Sequence, residues 1–388
     1  MEPLVTIIIP CYKLGHLLAQ CVNSILSQDY KNFEILIMDN CSPDNTPEVA
    51  QSFSDPRVRH IRNETNIGHI RNFNKGISLA RGKYVWMVLV DDKLRSTQVL
   101  GRYVDLMERN PNVGFVFCRA IEFEEEGEEQ GICRWGDCGN EDQIWKDRTF
   151  FHRLIEANCI VACSEFFRKE CYPKPGPYQL EIPWASDWYI SCMIAMHYDV
   201  AYLAEPMVAV RIHGESLTSQ YAKDHARLCI GDEMGLLRRV GQEAQVAGLP
   251  LLRDACEAAL IRRAVRLLAA GAKDQTPGMS QADFETILEE RIASPEERKQ
   301  LRASVYTGLG DEHYWKDERE QAKSSYQLAL AARRGRAETW AKYVLLRMGI
   351  LGIPFRQILY SGYESVVTRY RTDCELLRSG QLGRYARP

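Results

Sequence analysis

The sequence predicts an α/β fold: a mostly parallel sheet with helices on both faces, followed by an all-helical C-terminal region. Three observations predict it. Over the first hundred residues, short apolar runs rich in β-branched side chains alternate with stretches of helical periodicity. Two of those runs end abruptly in carboxylates, residues 33–38 in Asp39 and residues 85–90 in Asp91 and Asp92. From about His225 the strand patterns stop and helical spacing takes over.

The elements follow in order. Residues 5–9 read as a buried strand, ended by Pro10 and a loop of Cys11, Tyr12 and Lys13. Leu17, Leu18, Cys21, Val22, Ile25 and Leu26 recur at helical spacing. Residues 33–38 form the second strand, and residues 40–46 are dense in turn and cap residues that introduce a short helix over 47–53. Residues 58–61 are a short third strand. Asn66-Ile67-Gly68 is a turn, and Ile70, Phe73, Ile77 and Ala80 mark a further helix. The run 85–90 is the fourth strand, apolar throughout as a strand covered on both faces must be.

Composition bounds the function. A hydrophobic fraction of 45% and a charged fraction of 26% are those of an ordinary soluble globular protein, and a net charge of −3 gives no global case for nucleic-acid binding. Thirteen cysteines, an odd number with no Cys-x-x-Cys, suggest reduced thiols and a cytoplasmic address. The N-terminus has no positive n-region and no cleavage-like site, so no signal peptide is expected. No apolar run approaches the roughly 20 residues that cross a bilayer.

The chemistry is expected at the strand ends, where open α/β sheets bind ligands. Adjacent carboxylates repel each other, so Asp91 and Asp92 call for a divalent cation, and through it a phosphate. No Gly-x-Gly-x-x-Gly follows the first strand and no Gly-x-x-x-x-Gly-Lys-Ser/Thr occurs, so the dinucleotide and P-loop phosphate cradles are missing. Asp39 instead offers an acceptor to a base N–H or a ribose hydroxyl.

Six segments in order carry a family resemblance: residues 5–12, 24–28 and 33–46, Asn66-Ile67-Gly68 leading to Arg71 and Asn72, residues 80–84, and the double aspartate. The chain resembles family 2 glycosyltransferases of the GT-A nucleotide-sugar fold, in particular inverting transferases of bacterial surface glycans. The resemblance implies a nucleoside site built from Pro10, Tyr12, Asp39 and Asn66, with Arg71 on base or diphosphate and Asp91 on ribose. It implies Mg²⁺ or Mn²⁺ on Asp92. Three positions depart from the family pattern. Asn40 stands where a second aspartate is usual, Lys13 where asparagine follows the tyrosine, and Leu89 where the metal motif often begins with aspartate.

Beyond residue 100, a helix face of Val99, Tyr103, Leu106 and Met107 precedes a strand over 113–118. The acidic stretch 122–129 reads as a solvated hairpin tip or mobile loop. Residues 160–167 read as a strand or turn, and 172–183 as an irregular proline-rich segment. Trp184-Ala185-Ser186-Asp187 then opens a helix. In the resembling family an acidic residue here is the catalytic base, so Asp187 is expected to take the acceptor proton, with Ser186 in place of the usual glutamate; as sequence alone it is also a helix cap. Two short strands, 201–206 and 208–211, lead to Arg211-Ile212-His213, where the family's Arg-x-His implies His213 on the metal or diphosphate.

The expected organisation is a catalytic domain over 1–220, divided into a nucleotide-binding half (1–98) and an acceptor-binding half (99–220), and a helical domain over 221–388. In the latter, Tyr306, Leu309, Gly310, Ala322, Tyr326 and Ala329 fall near tetratricopeptide spacing, with Trp340 one 34-residue period after Tyr306. Residues 333–388 carry 11 Lys and Arg against 4 Asp and Glu, beside many apolar residues. Such a segment packs on the protein or rests peripherally on an anionic membrane surface. The expected function is transfer of a sugar from a nucleoside-diphosphate donor, UDP- or dTDP-linked, to a hydroxyl of a glycan or lipid-linked glycan. A homo-oligomer is compatible with this reading. The alternatives are a non-catalytic scaffold and a sugar-nucleotide pyrophosphorylase. The missing Gln-x-x-Arg-Trp pattern argues against a processive synthase.

Overall fold

The computed structural model describes residues 2–124, 128–173, 177–214, 216, 219, 221, 226–271, 278–333 and 336–347. Two compact units divide the chain, Met1–Glu257 and Ala258–Pro388. The sequence puts the change from sheet to helices near residue 221. The compact division falls later, so residues 226–257 belong with the sheet unit.

In the first unit, β1 (Val5–Cys11), β2 (Phe33–Asp39), β3 (Val58–Arg62) and β4 (Tyr84–Met87) pair in parallel in the order β3-β2-β1-β4. All seven residues of β1 and of β2 are buried, which is why both read as unbroken apolar runs. The connecting helices are α1 (Gly15–Leu26), α2 (Thr46–Gln51) and α3 (His69–Leu79). The sheet continues through β9 (Phe166–Arg168), β6 (Val113–Phe123), β10 (Asp199–Arg211) and β5 (Lys93–Leu94). β9 is antiparallel to both β4 and β6, and β10 is parallel to β6, so the sheet is mixed with a mostly parallel half. α4 (Val99–Arg109) precedes β6. Two short strands, β7 (Glu129–Ile132) on β6 and β8 (Gln143–Trp145) on β10, pair antiparallel at the side. β6 and β7 pair antiparallel on either side of the acidic stretch, of which residues 125–127 lie outside the described residues.

Two expectations change. The apolar run 85–90 is not one strand. It leaves the sheet after Met87, and the Asp92 N–H donates to the Leu89 carbonyl at 3.0 Å in a tight turn. The pair expected over 201–211 is a single strand, β10, whose register against β6 shifts between Leu203 and Val208. Glu205-Pro206 sits in that irregularity and gave it the look of a loop.

α5 (Thr149–Leu154) and α6 (Ser186–Ala195) pack on this unit. Next comes α7 (Ala226–Val246), and α8 (Pro250–Ala270) begins in this unit. The core lies between sheet and helices. Trp86, Tyr103 and Phe166 form an aromatic cluster with ring centroids 4.9–5.8 Å apart.

The second unit holds α9 (Gln281–Arg291), α10 (Pro295–Trp315), α11 (Arg319–Ala332) and α12 (Ala337–Arg347). Ser280 starts α9 with a capping box to Asp283, and Ser294 with Pro295 starts α10. A Cβ on Gly310 would stand 2.5 Å from the Tyr326 ring, so α10 and α11 meet closely at that point. Of the positions near tetratricopeptide spacing, Tyr306, Leu309, Ala322, Tyr326 and Ala329 are buried, whereas Trp340, one period after Tyr306, is 48% exposed. Residues 272–277, and residues 348–388 of the basic tail, lie outside the described residues. Among the described residues no helix is long and apolar enough to cross a membrane.

Candidate active site

The first station is the end of β2. Asp39 is fully buried. Its Oδ1 accepts the Ser42 N–H at 2.8 Å, and its Oδ2 meets Arg62 at 2.5 Å and His60 Nε2 at 3.3 Å. Both basic residues come from β3, where parallel register sets Arg62 opposite Asp39. Arg62 also donates to the Ser42 carbonyl at 3.0 Å. The following loop is drawn onto α1. The Asp44 carboxylate accepts the Gly15 N–H at 3.0 Å, and a Cβ on Gly15 would stand 2.7 Å from the Thr46 nitrogen. Pro10 lies buried within β1, whereas Tyr12 is 40% exposed, with the Lys13 ammonium 5.2 Å above its ring. Lys13 has φ +61°, a left-handed conformation that asparagine tolerates better than lysine.

Asn40 explains its own departure from the family pattern. Its Oδ1 accepts from Asn63 and from the Ile67 N–H, both at 3.0 Å, while its Nδ2 donates to Asn66 Oδ1 at 2.8 Å. Asn63 in turn donates to Asn72, which donates to the Met38 carbonyl. An aspartate at 40 could not donate to Asn66. Asn66, expected on the nucleotide, is thus committed in part to the loop, since its Oδ1 also accepts the Gly68 N–H at 2.9 Å. Arg71 is exposed on α3.

The second station is the turn after β4. Asp92 is 4% exposed, and its Oδ1 accepts the Arg211 N–H at 3.1 Å. Burial, and next the neighbouring Asp91 charge, push its carboxyl well above the usual range. Arg211 also donates to the Asp91 carbonyl at 3.2 Å and to Gln20. His213, two residues past the end of β10, sets Nε2 2.9 Å from Asp91 Oδ2. The sequence pairs His213 with Asp92 as metal ligands. In the structure the histidine meets Asp91, and Asp92 turns inward to the β10 backbone.

The donor set fits a hard or borderline cation. Oxygen and imidazole nitrogen donors 2.9 Å apart have the spacing of neighbouring ligands in an octahedron of about 2.1 Å bonds. Among the described residues no third His, Cys, Asp or Glu completes a cluster. Mg²⁺ and its analogues usually keep positions for substrate phosphates and water.

The third station is α6. Its N-cap is Ala185, and Asp187 sits inside the first turn, so the simple cap reading fails. Asp187 Oδ1 accepts the Trp188 N–H at 2.7 Å, and burial raises its carboxyl. Trp188 pins the helix by donating to the Leu154 carbonyl at 2.9 Å, and the Trp184 N–H donates to Asp232 at 2.8 Å. Asn74 holds the preceding loop through both backbone groups of Tyr178. Among the described residues no hydrogen bond links Asp187 to Asp39, Asp91 or Asp92. Sequence reasoning missed His60, Arg62 and Glu165. The first two needed the pairing of β2 with β3; Glu165 was visible as the one acid within the apolar run 160–167.

A mostly parallel half-sheet with carboxylates at or just beyond its strand ends is the architecture of the GT-A fold. Residues 6–172 match the sequence profile described as Glycosyl transferase family 2. It is 35% identical over 115 residues to the glycosyltransferase GlyG of Streptococcus pneumoniae, covering 29% of this chain and 38% of that one. It is 28% identical over 193 residues to a PGL/p-HBAD biosynthesis glycosyltransferase of Mycobacterium bovis, covering 48% and 67%. The match thus spans only 38% and 36% of the first two curated relatives. The fold resembles S. aureus TarS 1-349, with a TM-score of 0.58 at 17% identity over 86% of this chain and 92% of that one. TarS has also been solved with UDP-GlcNAc. At such identity the likeness shows the fold alone.

Proposed function

We propose that the chain is an inverting glycosyltransferase that moves a sugar from a UDP- or dTDP-sugar to a hydroxyl of a glycan or lipid-linked glycan, with Asp187 as general base. The observation that carries this reading is the Asp187 carboxylate. It stands in the first turn of a pinned helix, is spent on no cap at Ala185, and pairs with no cation among the described residues. Burial raises its proton affinity, which suits a base that must take a hydroxyl proton as the new bond forms.

Asp91 and His213 would hold Mn²⁺ or Mg²⁺. Such an ion supplies charge neutralisation to a diphosphate leaving group. Asp92 acts behind them, fixing Arg211 and so the end of β10 that carries His213. Asp39 has roughly four acceptor positions for three donors (Ser42, His60 and Arg62), leaving one for a pyrimidine N–H. The exposed Tyr12 ring offers the base a face, and Arg71 reaches phosphate. The UDP-GlcNAc complex of TarS supports a uridine donor by fold analogy.

The test is turnover of a panel of UDP-, dTDP- and GDP-sugars with Mn²⁺. A uridine or thymidine donor should be consumed, and Asp187→Ala should lower kcat by about 10²–10⁴. Full turnover in a folded Asp187→Ala protein would exclude the base assignment. Absence of turnover with every donor would favour a scaffold.

A further inference from the structure

We infer that Glu165 is a positioning residue for the transfer step: through the Ser191 hydroxyl its buried carboxyl fixes the first turn of α6 and hence the direction of Asp187. The inference rests on Asp187 being the base.

Glu165 lies just before β9, is 4% exposed, and accepts a hydrogen bond from the Ser191 hydroxyl. Ser191 is one helical turn beyond Asp187, is itself buried, and its hydroxyl lies 3.2 Å from the Asp187 carbonyl oxygen. The groups facing Glu165 are Asp187 and Ser191 of α6, the Tyr172 and Tyr178 phenols after β9, and the Cys159 thiol before it. Cys192 of α6 also feels its charge. Among the described residues no Lys, Arg or His pairs with it. The Tyr172 hydroxyl is buried there without a hydrogen-bond partner among the described residues.

A buried carboxylate without a cation is costly, and for stability alone a neutral side chain would serve better. Burial pushes the Glu165 carboxyl well above the usual range. The neutral form also resolves a shortage of protons. Ser191 has one hydroxyl proton and two acceptors within reach, Glu165 and the Asp187 carbonyl. When the neutral carboxyl donates to Ser191, the serine proton is released to the carbonyl, and both contacts are satisfied. The relay then runs from Glu165 to the backbone of the base.

The test is steady-state kinetics with the donor found above. Glu165→Ala and Ser191→Ala should each lower kcat about 10- to 100-fold, leave the donor KM within about twofold, and not add in the double variant. Glu165→Gln, whose amide can both donate and accept, should recover most of the rate. A folded Glu165→Ala enzyme at full kcat, additive losses, or a Glu165→Gln as slow as the alanine would overturn the relay. Should the alanine variant fail to fold, Ser191→Ala and Glu165→Gln decide alone. A loss in Asp187→Ala without loss in these variants would sink this inference and leave the base standing; full activity in Asp187→Ala would remove the base itself.

Discussion

Asp39 ends β2 and Asp91 lies in the turn just beyond β4 of the same sheet, each after an apolar run, yet the protein treats them oppositely. Asp39 is answered from within: β3 brings Arg62 and His60 to its carboxylate and the next loop adds the Ser42 N–H. Asp91 stands beside a second carboxylate, and the nearest basic side chain to meet it is an imidazole. The backbone N–H and guanidinium of Arg211 are spent on Asp92 Oδ1, the Asp91 carbonyl and Gln20. A carboxylate with a built-in counter-charge is a finished structural part that can still present one acceptor. A pair without one leaves room for a cation from solution. On the proposed function, the same sequence signal marks a recognition site in one place and a metal site in the other.

Exchange of each aspartate for asparagine should separate the two. Asp39→Asn takes the counter-charge from Arg62 and His60, leaves Arg62 only the Ser42 carbonyl and the neutral amide, and should lower the midpoint of urea denaturation. Asp91→Asn removes a like charge from beside Asp92 and should leave the metal-free protein as stable or more so. Equal losses at both positions would erase the distinction. The next effect is pH-dependent and concerns Glu165, a buried carboxyl without a cationic partner among the described residues. Its folded-state proton affinity is raised, so the stability it contributes is whole below the ordinary carboxylate range. That stability is lost as pH rises from there to the raised value. The thermal midpoint of Glu165→Gln should therefore gain on the wild type across that window, by about 2–4 °C for each kcal/mol. A constant difference at all pH values would show that Glu165 does not titrate in this way. The smallest effect belongs to the compensated station: Lys13→Asn relieves a left-handed backbone and should stabilise by about 0.5–1 kcal/mol. A destabilised variant would mean that the Lys13 contact with Tyr12 outweighs the strain.

What the sequence revealed follows from what is local. β1 and β2 were legible because burial on both faces leaves an apolar run, and the three aspartate stations because each breaks or follows such a run. The insertion of β9 between β4 and β6 was not legible, since antiparallel pairing between residues far apart in the chain leaves no local mark. His60 and Arg62 looked like ordinary polar positions of a short strand until register placed them against Asp39. That His213 meets Asp91 while Asp92 accepts from the Arg211 backbone turned on one tight turn, from Leu89 to Asp92, inside a run that reads as strand to its end. Asn40 was visible as a departure, but its purpose required Asn63 and Asn66 to meet it from a distant loop.

The cation site is the claim on which the two strand ends differ most, and it can be measured without turnover. Mn²⁺ binding in the presence of UDP, followed by the electron paramagnetic resonance of the free ion, should show uptake by the wild type. Uptake should be lost in Asp91→Asn and in His213→Ala, and kept in a folded Asp92→Asn, whose carboxylate is turned to Arg211. Binding that survives in Asp91→Asn but disappears in Asp92→Asn would contradict the account.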